Sequence, residues 1–181
     1  MSEPMTVWVE VWPLAADQVG LWLVSGEDAL RSTLPVAADS EPHAEVEGLL
    51  SQHALRDDAV LVHSTSWRPD GPRVVLTYVA VIQAGGLDAL VRDRWPTALP
   101  VSADLAAAVG RPPGHDPTEP PVPRYVDVLF HAVRHLRFLL DTDSRHRAVF
   151  DVHWRRYLDV LRPALAGMYD PQHVEDVVHS Q

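Results

Sequence analysis

The run PRVVLTYVAVI (72–82) constrains this chain more than any other stretch. It is apolar at nearly every position, so a strand built from it has no side to give to water. Such a strand belongs inside a sheet that is covered on both faces. AVLVHSTSW (59–67) is a second β-rich run, and Arg68, Pro69, Asp70 and Gly71 stand between the two. Pro presets φ and Gly accepts a positive φ, so the segment predicts a tight turn and the pair a hairpin. Upstream, Val7, Val9 and Val11 alternate with Trp8, Glu10 and Trp12, which is strand periodicity with one valine face. Pro13 to Gln18 reads as a turn, and VGLWLV (19–24) as the strand that returns from it. Pro42 opens a helix expected over 42–55, with Glu41, Glu45 and Glu47 near its positive end and Val46, Leu49 and Leu50 on one side. GGLDALVRDRWP (85–96) predicts a short helix closed by Pro96.

Eight prolines between 96 and 123 divide the chain. A short helix over 102–109 is expected there, and the rest has extended polyproline character. Beyond it, residues 124–141 place Tyr125, Leu129, Ala132, Val133, Leu136 and Leu140 on one helical stripe. Residues 145–166 place Val149, Phe150, Trp154, Tyr157, Leu158, Leu161 and Leu165 on another. This predicts an α+β fold: a small mixed or antiparallel sheet with packed helices over 1–96, a Pro-rich linker over 97–123, and a C-terminal helical hairpin with its tail over 124–181. An isolated hairpin buries two such stripes poorly. It is therefore expected to dock on the sheet, with a homodimer as the other outcome.

Composition removes several chemistries. There is no Cys, which excludes thiolate nucleophiles and Cys zinc sites, and all fifteen basic residues are Arg, which excludes a P-loop or Schiff-base lysine. The net charge of −10 argues against nucleic acid as a partner. The charge is uneven. Residues 124–162 hold eight Arg and five Asp, a net of +3, which leaves seven Arg and twenty acids, a net of −13, elsewhere. The arginines of the hairpin are expected to dock the acidic N-terminal region or to pair with Asp127, Asp141, Asp151 and Asp159. The N-terminus lacks a basic n-region and no run approaches a membrane span, so a cytoplasmic protein without a membrane partner is expected.

Candidate functional residues are sparse. Trp8, Trp12 and Trp67 are candidates for a ligand pocket or protein interface, together with Arg134 and Arg137 of the hairpin. His131 and His135 are spaced i, i+4 with Asp127 one turn earlier, which forms an alternative set for a divalent metal. No Glu follows His131, so the H-E-x-x-H pattern is missing. His63, Ser64, Thr65 and Ser66 lack a nucleophile elbow, and alternation in a strand turns His63 away from Ser64.

Trp22-Leu23-Val24, Leu34-Pro35, the helix ending at Leu55 and the strand pair over 59–82 together resemble a Nudix domain over about residues 5–95. The family's box, R-E-U-x-E-E-x-G-U with U aliphatic, holds divalent cations on its glutamates. Laid on this helix, it puts Glu47 at the arginine, Gly48 at the first glutamate, Ser51 and Gln52 at the paired glutamates, and Ala54 at the glycine. Only Leu49 and Leu55, the packing positions, agree. The resemblance thus implies a scaffold without its catalytic site: a non-enzymatic binding or regulatory module that takes a small molecule or a protein and needs no cofactor. The alternatives are a metal-assisted hydrolase built on the histidines and aspartates of the C-terminal helices, and an interaction module acting through the Arg-rich hairpin.

With Gly48, Ser51 and Gln52 in place of carboxylates, no hydrolysis of nucleoside-diphosphate-linked compounds is expected with Mg²⁺ or Mn²⁺. A steady-state assay checks this. Turnover that disappears on changing Glu45 or Glu47 would show that the box has been laid on the wrong register.

Overall fold

The computed structural model describes residues 5–102 and 125–165. Among these, a mixed six-stranded sheet packs with five α-helices in an α+β arrangement. The strands are β1 (Thr6–Ala16), β2 (Leu21–Leu23), β3 (Leu30–Arg31), β4 (Ala59–Asp70), β5 (Arg73–Ile82) and β6 (Leu99–Pro100). The helices are α1 (Pro42–Gln52), α2 (Val91–Arg94), α3 (Tyr125–Thr142), α4 (Ser144–Val149) and α5 (Val152–Leu158). The sheet order is β4-β5-β1-β2-β6, and β3 also pairs with β1.

β5 lies between β4 and β1, and its last six residues are buried. The hairpin partner β4 runs antiparallel to it, whereas β1 runs parallel from Thr6↔Arg73 to Ala15↔Ile82. Two parallel strands need a crossover, and α1 lies in it. The valine face of β1 (Val9, Val11, Ala15) packs with Tyr78, Ala80 and Ile82 of β5 against Val46, Leu49 and Leu50 of α1. The opposite face carries Trp12, Leu14, Val79 and Val81 and packs against Leu129, Val133, Leu136, Phe150, Trp154 and Leu158 of the C-terminal helices. The hairpin therefore docks on the sheet.

Five local expectations are corrected. The turn expected over Arg68–Gly71 falls at Gly71 and Pro72, because Arg68, Pro69 and Asp70 still pair with β5 as the end of β4. β1 does not turn at Pro13 but continues to Ala16, and the turn falls at 17–20. Pro13 sits between the stretch of β1 paired with β3 (Glu10, Val11) and the stretch paired with β2 (Leu14–Ala16). Its missing N–H is therefore lost at a change of partner, and its carbonyl still accepts from Val24 N at 2.9 Å. The helix expected over 85–96 is only the single turn of α2. The first helix ends at Gln52, and Ala54 takes φ 55° just beyond it.

The helix expected over 145–166 is two short helices. Asp151 accepts from His153 N at 2.9 Å and Trp154 N at 3.0 Å, which caps α5 and interrupts the run, while Phe150 turns into the core. The linker's described part, 97–102, holds the short strand β6. The helix expected over 102–109 and the tail after 165 fall outside the described residues, apart from Ser102.

Gly71 has φ 57° and open space where a Cβ would stand. Gly71→Val is thus strained by backbone conformation alone and is expected to lower stability by about 1–3 kcal/mol, read as a fall in the urea midpoint. Unchanged stability would show that the turn tolerates a β-branched side chain.

Candidate functional site

The face of the sheet that carries the C-terminal helices is covered over only part of its length. Beyond Trp12, the same face of β1 continues to Glu10 and Trp8. In register beside them stand Thr77, Val75 and Arg73 of β5, and Arg68 of β4. Arg31 of β3 pairs opposite Glu10. Of these, Trp8, Arg31, Arg68, Arg73 and Val75, with Val9, Ser32, Pro69 and Asp70, line a cleft of about 410 Å³, and Glu10 and Thr77 lie beneath it.

Glu10 is the floor of this region. It is 0% exposed, and its carboxylate is held across four strands. Arg68 Nη2 donates to Oε2 at 2.8 Å and Arg68 Nη1 contacts Oε1, a two-pronged arrangement. Thr77 Oγ1 donates to Oε1 at 2.8 Å, and Arg31 Nε lies 3.3 Å from Oε2. Burial pushes the Glu10 carboxyl up, but Arg68, Thr77 and Arg31 together outweigh it and hold it below the ordinary carboxylate value. Arg31 also reaches Asp28. Arg73 stacks over the Trp8 ring at 4.5 Å and makes no ion pair among the described residues.

A bulge builds this row. The register of β4 on β5 shifts between Ser64 and Ser66. His63 (opposite Val79) and Arg68 (opposite Val75) thereby share a face although they are five residues apart, a spacing that strict alternation would split.

The second cluster lies where β4 meets α3 and α4. The rings of His63 and His135 stack with centroids 5.1 Å apart. His63 and His146 meet edge-on at 5.7 Å, and His131 and His135 are 6.5 Å apart. Burial, with help from His63 and His131, lowers His135 to about 4. Burial also lowers His63 and His131. Among the described residues, no group of three or more His, Asp or Glu side chains is arranged to hold a metal ion.

The residues singled out in the sequence fall in different places. Trp8 lines the cleft. Trp12 is 1% exposed in the core under the C-terminal helices, and Trp67 is 66% exposed on β4, outside the cleft lining. Arg134 donates to the Arg162 carbonyl, and Arg137 ties Asp141 at 3.0 Å and Asp159. Arg147 and Arg155 likewise bond carbonyls of the hairpin itself. Among the described residues, these four arginines bind the hairpin together and none pairs with a carboxylate of the acidic N-terminal region. His131 and His135 come together, His135 stacks on His63, and His63 in turn meets His146. On α1, Glu47 pairs with Arg56 at 2.8 Å, and Ser51 Oγ donates to the Glu47 carbonyl. Sequence reasoning missed Glu10, Arg31, Arg68 and Arg73. A lone Glu in an apolar strand was the available signal, since a buried carboxylate demands cationic partners.

Removing Glu10 leaves Arg68 facing a buried gap, so Glu10→Ala is expected to cost about 3–5 kcal/mol. Because the folded carboxyl is held below its unfolded value of about 4.3, its contribution is complete above that pH and fades as the pH falls through the lower folded value. Urea titrations at pH 7 and pH 3 check this: the gap between parent and variant should narrow at pH 3. No family model and no curated protein matches this chain.

Proposed function

We propose that the chain is a non-enzymatic binding module that takes an anionic small molecule in the cleft of Trp8, Arg31, Arg68 and Arg73. The observation that carries this reading is Arg73. Its guanidinium carbon sits over the Trp8 ring, 4.5 Å from the centroid, at the cleft wall, with no carboxylate partner among the described residues. Arg68 and Arg31 are already engaged by Glu10 and are held rigid by it, so they can add hydrogen bonds to a ligand without being ordered at the moment of binding. Trp8 supplies a planar apolar surface beside them, which suits an anion that carries a flat ring. Asp70 at the rim disfavours a ligand of dense negative charge.

An enzymatic reading of this cleft would have to rest on Asp70 at the rim, because the other acid and hydroxyl groups beside it are engaged. Glu10 is fully buried and engaged on both oxygens, and Ser32 Oγ accepts from Val9 N at 3.2 Å. A Nudix-like origin of the scaffold rests on the element order around α1 and on the packing positions Leu49 and Leu55. The cleft reading stands without it. Regulation would follow from binding, with the protein reporting a metabolite to a partner.

A thermal-shift panel of nucleoside diphosphates and aromatic carboxylates, with and without Mg²⁺, tests the proposal. A bound anion at a hundred times its Kd should stabilise by about 2.7 kcal/mol, without metal dependence, and the shift should disappear in Arg73→Ala and Trp8→Ala. A shift that persists in both variants, or that requires Mg²⁺, would place the ligand elsewhere.

A further inference from the structure

Three elements bring four imidazoles together at one contact: His63 from β4, His131 and His135 from α3, and His146 from α4. A packed core ordinarily satisfies its polar atoms. Here His131 Nε2, both ring nitrogens of His135 and His146 Nδ1 are buried without a hydrogen-bond partner. His135 is 7% exposed. His146 Nδ1 lies 3.3 Å from Asp143 Oδ2 but is not aligned to hydrogen-bond. Such a contact is held by apolar packing of rings, and a proton on His63, His131 or His135 is a charge withdrawn from water beside like neighbours.

We propose that the contact of His63, His131 and His135, with His146 packed against it, is an acid-operated latch: while the three rings are neutral it holds α3 and α4 on the sheet, and their protonation lifts the helical layer and exposes the apolar face of Trp12, Leu14, Val79 and Val81. The surrounding charges do not offset the protons. Arg134, one turn from His131, opposes its charging, while the backbone of Thr65 favours charging of His131 and that of Ala164 favours charging of His135, in both cases by less than burial opposes it. Asp143 and Arg145 stand together at the start of α4 beside His146, so the single carboxylate there is shared. Asp127, four residues before His131, is itself engaged. β1 and β5 contribute Trp12, Val79 and Val81 to this layer, and α5 contributes Trp154 and Leu158. His153 of α5 is turned away to the Leu87 carbonyl at 2.9 Å.

The sign follows from the burial of the rings. His63, His131 and His135 are each held below the ordinary imidazole value of 6.5 in the closed state, His135 at about 4. The open state therefore takes up protons first. The latch is closed above about pH 6.5 and gives way as the pH falls toward about 4. On the other face, built on α1, the described residues include no buried histidine, His43 there being exposed beside Tyr78, and that layer stays folded through the window.

Hydrogen exchange on the full chain between pH 7.5 and pH 4.5, expressed as protection factors, tests the latch. Amides of 128–158 should lose protection by about tenfold or more, while those of 46–50 and 75–82 keep theirs. His135→Gln and, separately, the half-buried His63→Gln remove a titrating ring and should move the loss to lower pH. Loss of protection on both faces at one pH, or no loss at all, would overturn the latch. So would an unchanged midpoint in a folded variant. Zn²⁺ added at pH 7.5 is the second arm. A rise in Tm that vanishes in His135→Gln would make the cluster a metal site instead, and no rise supports the latch.

Discussion

The parallel pairing of β1 with β5 is the contact on which the rest depends. It joins residues 6–15 to residues 73–82 over ten consecutive positions. Each strand presents side chains on both faces, so two hydrophobic layers are required. α1, in the crossover, covers one face. The other is left for elements that come later in the chain, and α3, α4 and α5 fill it. A chain ending at β5 would leave Trp12, Leu14, Val79 and Val81 in water, which at about 25 cal/mol per Å² is a large loss for a domain of this size.

The second face is divided along its length, and the division locates both candidate sites. Its apolar part lies under the helices. Its polar part holds Glu10 beneath Arg68 and Arg31, with Trp8 and Arg73 open to solvent at the cleft. The bulge at Ser64–Ser66 supplies one residue to each part, His63 to the helix contact and Arg68 to the cleft. A strand without it would turn one of them to the α1 side, where Val46, Leu49 and Leu50 offer no partner. Buried charge is tolerated at Glu10 because four donors meet it. The histidines are tolerated for the opposite reason, since imidazole enters an apolar contact uncharged.

Much of this was readable from residue order. Alternation identified β1, unbroken apolarity identified β5 as an inner strand, Gly71 marked the hairpin between β4 and β5 although the turn begins later than Arg68, and the stripe of α3 appeared at its expected spacing. Elements whose identity depends on one local hydrogen bond were harder. Asp151 looks like any helical residue until its carboxylate is seen to cap α5, and Pro13 looks like a turn until the change of pairing partner around it is known. The six tryptophans were alike in sequence, yet Trp12 is core, Trp8 lines the cleft and Trp67 faces water.

The sequence by itself determined most of the local elements and the absence of thiol and lysine chemistry. These follow from residue type and spacing within a few residues of one another. The tertiary structure alone decided which polar residues meet. Glu10, Arg31, Thr77 and Arg68 come from four strands, and the four histidines come from one strand and two helices. Their encounter depends on register and on a bulge, which arise from the packing of whole faces and leave no mark in the spacing of the residues they bring together.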